Sequence, residues 1–357
     1  MQEVVSLIVI VVASVIVYIA LVKTIFYYRG SHDETYIVET EDGRLIALYR
    51  FVPPTKRYFT PVLLCHGLGA NHFSWDPGIK VPSFANYLKD AGFEVWTIDL
   101  RGIGLPARFE KRSVLAKKVN WTFDDYVKYD VSKAISYVSE QAGGRNLNWV
   151  GHSMGGMVMY AYLQITDGSK ILSATAIASP ADFKHYRWLK PLAPRLAKLL
   201  GNFVLIKWSK LALLLAPFGY LIPVARVGTP RQVYSWFAAN GVGDVSSGVL
   251  CQFLDWIANE RFCSADGSYS YRDNFDKIKT PFLVVEGGGD WIAPPPDVRH
   301  GIEHMASHDK KYAYFSRKTG ASYNYDHMSI LLGKTARNES WREILEWLIK
   351  HSEPCNT

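Results

Sequence analysis

A serine, an acid and a histidine stand far apart in this chain, each in a setting that could make it chemically useful. The run Gly151-His152-Ser153-Met154-Gly155 has the form G-x-S-x-G, entered by an apolar strand pattern (Asn148-Trp149-Val150) and left by an apolar helical one. Such a strand-to-helix elbow holds the hydroxyl out at the top of a sheet, and its glycines let neighbouring backbone come close. A serine hydroxyl is a poor nucleophile until a base takes its proton. In this arrangement the acid and then the histidine follow the serine along the chain. His327, in Tyr325-Asp326-His327-Met328, and Asp290, at the end of Phe282–Gly289, satisfy that order. The carboxylate would fix the tautomer and orientation of the ring. A tetrahedral intermediate needs two preorganised N–H donors. The amide of Met154, after the nucleophile, and that of Leu68, in His66-Gly67-Leu68-Gly69, are the expected oxyanion donors.

Other titratable residues fit these roles less well. His66 precedes the serine and belongs with the oxyanion loop, which lacks the Lys-Ser/Thr ending of a phosphate-binding P-loop. His300, His304 and His308 recur every four residues, as on a metal-binding helix face, but no carboxylate completes such a site and solvated histidines are expected. Asp99 ends a strand too early and is expected to brace the nearby turn through Arg101. Asp326 adjoins His327 and is poorly placed to orient its neighbour's ring. Glu286 is the rival acid.

These groups need a scaffold. Tyr36–Glu39 and Leu45–Phe51 flank Glu41-Asp42-Gly43 as a hairpin. Strands are expected at Pro61–Cys65, Glu94–Leu100, Asn148–Val150, Ala174–Ala178, Phe282–Val285 and Tyr312–Phe315. Helices are expected at Pro82–Ala91, Phe123–Glu140 and Trp341–Lys350, the second opened by Thr122 with Asp125 three residues on. The alternation predicts an α/β fold, a mostly parallel eight-stranded sheet with helices on both faces. Residues 35–181 and 246–357 form the two parts of that core. Residues 182–245 break the rhythm with apolar helical segments carrying Lys184, Arg187, Lys190, Arg195, Lys198, Lys207, Lys210, Arg226 and Arg231. We read this segment as an inserted cap with an apolar underside and a basic rim suited to a membrane surface.

Val4–Val22 is long and apolar enough to span a bilayer. Met1-Gln2-Glu3 lacks the basic start of a signal peptide and no small-residue cleavage site follows. Residues 1–27 therefore read as an uncleaved transmembrane anchor. Lys23 and Arg29 follow it and nothing basic precedes it, which directs the catalytic domain to the cytoplasm. The remaining composition is globular: 357 residues, 48% hydrophobic, 14% aromatic and a net charge of +7. That charge suits an anionic membrane surface; no nucleic-acid-binding signature accompanies it. Cys65, Cys251, Cys263 and Cys355 form no metal-ligand pattern, and a Cys251–Cys263 bridge is left open.

With these residues in place the chain resembles the acid lipase and gastric lipase family of α/β-hydrolases. The resemblance rests on Tyr36–Gly43, Leu64-Cys65-His66-Gly67-Leu68, Phe123–Asp130, Gly287-Gly288-Gly289-Asp290-Trp291-Ile292-Ala293, and Tyr325-Asp326-His327 followed by Gly333. It implies the α/β-hydrolase fold and a Ser-Asp-His triad acting on esters without cofactor or metal. The departures are Met154 where the family has Gln, a dissimilar cap, and an anchor in place of a secretion signal. The expectation is a membrane-anchored serine hydrolase of lipid-like carboxylic esters. Acyl transfer from the same acyl-enzyme to an alcohol or thiol is the alternative; a non-catalytic membrane scaffold is the lesser one, with all three triad residues present. Chain length, head group and oligomeric state are not specified.

Overall fold

The computed structural model describes residues 2–78, 81–110, 120–201, 203, 205–221 and 228–355. Arg226 of the expected cap lies outside them. Eight strands form one sheet: β1 (Glu34–Glu39), β2 (Leu45–Phe51), β3 (Val62–Cys65), β4 (Val95–Asp99), β5 (Leu147–His152), β6 (Ile171–Ile177), β7 (Phe282–Gly287) and β8 (Lys310–Phe315). Their order is β1-β2-β4-β3-β5-β6-β7-β8. β2 runs antiparallel to β1 and β4, and the remaining pairs are parallel. The chain thus has the α/β-hydrolase fold.

Successive side chains of a strand point to opposite faces, and here both faces are covered. Leu63 and Cys65 enter one core with Trp96, Trp149 and Phe183. Val62 and Leu64 enter the other with Phe84, Trp341 and Leu348. That double burial is why these strands read as unbroken apolar runs.

Thr122 and Asp125 form the expected capping box, with the Thr122 amide donating to Asp125 Oδ2 at 2.7 Å. The helix they start is not uniform. Phe123–Asp125 passes through a π-helical stretch, Tyr126–Val131, before the α-helix Ser132–Gln141. Within that stretch Asp130 is fully buried and meets the Arg101 guanidinium at 2.7 Å. Arg101 also meets Asp42 of the β1–β2 turn at 2.6 Å. The expected Asp99–Arg101 brace is therefore corrected: Arg101 ties the hairpin to this helix, and Asp99 faces His72 instead.

Between β6 and β7 the chain leaves the sheet. Ala193–Leu200, Trp208–Leu215 and Arg231–Trp236 are helical, and Leu205–Ile206 pairs with Val245–Ser246. Most large apolar side chains exposed outside the first helix gather here, among them Trp188, Leu192, Leu199, Phe203, Leu211 and Phe218. The cationic side chains are not a uniformly free rim. Lys190 pairs with Glu260, Lys207 with Asp244 and Lys184 with Asp182.

The helix Gln2–Ile25 contains one apolar span, Val4–Ile25, long enough to cross a membrane. Its last turns do not stand apart from the fold. Tyr18 Oη donates to the Leu214 carbonyl at 2.9 Å, and Val22 is buried with Ala216 and Ala238 of the cap.

Candidate active site

The elbow is built by β5 and the helix Met154–Ile165. Ser153 sits between them, half-buried, at φ 53° and ψ −120°. A non-glycine residue there is strained and persists only where its surroundings enforce it. The enforcement is steric. A Cβ on Gly151 would lie 2.1 Å from the Gly155 carbonyl oxygen, and one on Gly155 would lie 2.2 Å from that of Cys65. Backbone therefore packs on backbone at both glycines of the motif, and the turn is pinned. The Ser153 amide is fixed too, donating to the Ile177 carbonyl at 2.8 Å.

Asp290 and His327 meet, although they stand on different loops, after β7 and β8. His327 Nδ1 lies 2.8 Å from Asp290 Oδ2. The other carboxylate oxygen accepts the amides of Ile292 at 2.9 Å and Ala293 at 2.8 Å. Both residues are buried, at 4% and 7% exposure. An anchored carboxylate on Nδ1 selects the tautomer whose Nε2 carries a lone pair, the one able to accept a proton.

His152 joins the elbow to the histidine loop. Its Nε2–H donates to the His327 carbonyl at 2.9 Å, and the two rings lie 4.8 Å apart. Burial, with the neighbouring His327 ring, lowers its pKa to about 3, so this imidazole stays neutral. It positions the residue that follows it and the loop that carries His327. The sequence placed His152 inside the motif without revealing this bond, which spans 175 positions.

The expected oxyanion loop lies against the elbow: a Cβ on Gly67 would come within 3.0 Å of Ser153 Cβ. Met154 is the first residue of its helix, where amides lack intrahelical acceptors. His66 is buried, with Nδ1 2.8 Å from the Gly67 carbonyl oxygen. It shapes the loop.

The rivals are placed elsewhere or engaged otherwise. Glu286 is fully buried; burial, then the nearby Asp290 charge, push its pKa well above the ordinary carboxyl range. It is a neutral acid while Asp290 accepts from His327. Asp326 caps its own turn, accepting the amides of Met328 and Ser329. His300 and His304 lie on the helix Pro295–His304, but His308 lies beyond its end, so the four-residue spacing does not make one face. Among the described residues no cluster of three or more His, Cys, Asp or Glu could hold a metal. All four cysteines are free, which closes the Cys251–Cys263 question for this structure.

The alpha/beta hydrolase fold family matches residues 60–205. Human lysosomal acid lipase/cholesteryl ester hydrolase is 32% identical over 157 residues, which covers 42% of this chain and 39% of that protein. Human lipase member K is 24% identical over 371 residues, covering 91% of this chain and 89% of the relative. The chain has the α/β-hydrolase fold and is similar to the acid lipases. The lysosomal match spans less than half of that relative's length, whereas the lipase K match runs through both parts of this chain's core. Among solved structures, an esterase from Exiguobacterium antarcticum superimposes with a TM-score of 0.60 at 17% identity, covering 88% of this chain and 98% of the esterase. A Paleococcus ferrophilus monoacylglycerol lipase does so at 0.56 and 21%, covering 85% and 99%. These two likenesses show the fold alone. Both of the named sequence relatives are lipases.

Proposed function

We propose that this hydrolase is a membrane-anchored serine esterase that cleaves carboxylic esters of lipid-like molecules. The observation that carries the reading is the buried Asp290–His327 hydrogen bond, joined through His152 to a strained serine elbow. Ser153 Oγ attacks the ester carbonyl as His327 Nε2 takes its proton. The amides of Leu68 and Met154 hold the oxyanion, and Asp290 stabilises the imidazolium through Nδ1–H. The intermediate collapses by expelling the alcohol, which takes the proton from His327. Water, deprotonated by the same nitrogen, then attacks the acyl-enzyme; the acid departs and the proton returns to Ser153.

Two features favour lipid esters. The cap exposes large apolar side chains, as a surface resting on acyl chains would. The N-terminal helix is long enough to span a bilayer and packs on that cap through Tyr18 and Val22, contacts that favour a retained anchor over a removed signal. Lys23 and Arg29 after the helix favour a cytoplasmic catalytic domain. A fluorophosphonate probe should label the wild type and leave Ser153→Ala unlabelled; equal labelling would remove Ser153 from its role. Lipid profiling of cells carrying Ser153→Ala should show an accumulating lipid ester, and an unchanged profile would remove the lipid substrate.

A further inference from the structure

The end of the N-terminal helix, the linker after it and the cap enclose a cavity of about 710 Å³ that Ser153, Asp290 and His327 do not line. Lys23, Phe26, Arg29, His72, Lys210 and Leu213 are among its walls. The chain beyond the expected oxyanion loop reaches the cavity: Ala70 bridges Val242, and Asn71 and His72 line its wall.

Two independent features point to an anionic ligand. First, Lys23, Arg29 and Lys210 have no ion-pair partner among the described residues, and the one acid on the wall, Asp244, is already held by Lys207 at 3.0 Å. Second, His72 is 6% exposed, and its Nδ1 lies 3.0 Å from both oxygens of Asp99, while its buried Nε2 has no hydrogen-bond partner. Buried polar atoms are rarely left so. With Asp99 on Nδ1, Nε2 is left for a hydrogen bond with a bound group. The cavity lies where the apolar span ends, the depth at which phospholipid head groups sit, and Phe26 and Leu213 supply apolar wall beside the cations.

We propose that this cavity binds the phosphate group of an anionic membrane phospholipid, with Lys23, Arg29 and Lys210 around it and His72 Nε2 hydrogen-bonded to it. The assignment rests on the membrane-embedded reading of the N-terminal helix and not on ester hydrolysis.

The full chain in non-ionic detergent is titrated calorimetrically with a short-chain diether phosphatidic acid, whose ether links the esterase chemistry cannot cleave. Diether phosphatidylcholine and inorganic phosphate serve as comparison ligands. Hydrogen bonds to charged groups are strong enough that the exposed-residue double variant Arg29→Gln/Lys210→Gln, and separately His72→Gln, should each weaken phosphatidic acid binding by roughly tenfold or more. Hydrolysis of a soluble short-chain ester should not change. Wild-type affinity in the double variant overturns the proposal, as does phosphatidylcholine binding equal to phosphatidic acid. Inorganic phosphate binding as tightly as the diether lipid overturns the lipid source. A chain that binds the lipid yet never labels with fluorophosphonate would fail as a hydrolase and keep this site. Photolabelling of the helix by lipid-borne probes in proteoliposomes tests the membrane reading alone.

Discussion

Among the described residues two buried Asp–His pairs stand out, and they differ in what meets the far side of each ring. In the first, His327 bonds Asp290 at 2.8 Å, and two loop amides hold the second carboxylate oxygen. In the second, His72 lies 3.0 Å from both oxygens of Asp99, which also accepts Tyr49 Oη at 2.7 Å and the His72 amide at 2.8 Å. The His72 ring is stacked on Tyr49, centroids 3.7 Å apart, with Phe73 at 4.0 Å. Burial alone would raise the Asp99 pKa; the adjacent His72 outweighs it and holds the carboxyl below its ordinary value. Both pairs thus join a carboxylate to an imidazole. Only the first is joined through its loop to a serine that the backbone forces into a strained elbow. A carboxylate and an imidazole make a polarised donor–acceptor unit; the group opposite Nε2 decides whether it serves proton transfer or recognition.

The comparison breaks most plainly at the serine. Ser153→Ala should lower kcat for a short-chain ester by at least roughly 10⁴-fold, while His72→Gln leaves kcat unchanged. Comparable losses in both would mean that the pairs are not functionally distinct. The acids test it next. Asp290→Asn should lower kcat by about 10⁴-fold through the wrong tautomer. Asp99→Asn should spare kcat and reduce unfolding free energy by about 1–3 kcal/mol, read by denaturant titration. Smaller again is the effect of Met154→Gln, the family's usual residue: the oxyanion donor is an amide, so kcat should stay within about threefold. The smallest concerns Glu286. Its folded pKa is raised, so the native state keeps a proton that the unfolded chain loses above about pH 4.3. This group makes stability fall as pH rises from there towards its folded value. Glu286→Gln should remove that slope in thermal melts across pH and leave the triad working. A steeper slope in the variant would contradict the neutral acid.

The three residues of the proposed triad could be picked out of the chain because each ends a recognisable local pattern. Ser153 follows a strand, Asp290 follows a strand and three glycines, and His327 lies in a loop before an apolar run. The strands were legible for the same reason, since burial on both faces leaves continuous apolar runs. Partners across distance were not. Asp99 and Arg101 are two positions apart, which invites a local pairing, yet adjacent loops deliver His72 to one and Asp42 with Asp130 to the other. The π-helical stretch around Asp130 leaves no mark in the apolar spacing, because six residues are too few to establish a period of their own. The packing of Tyr18 and Val22 on the cap was hidden by composition: a span apolar all round gives no sign of which face meets protein.

That packing bears on how the enzyme would work as a machine. Leu214 receives Tyr18, and Ala216 and Ala238 enclose Val22, so cap and helix form one mechanical body. If the helix spans a bilayer as proposed, a cap that swung freely would have to drag it sideways through lipid or break these contacts. Movement would then fall to the sheet beneath, tilting away from the moored cap. Access to Ser153 would then be governed by the rocking of the globular body against a stationary roof, and its rate would depend on the viscosity of the lipid.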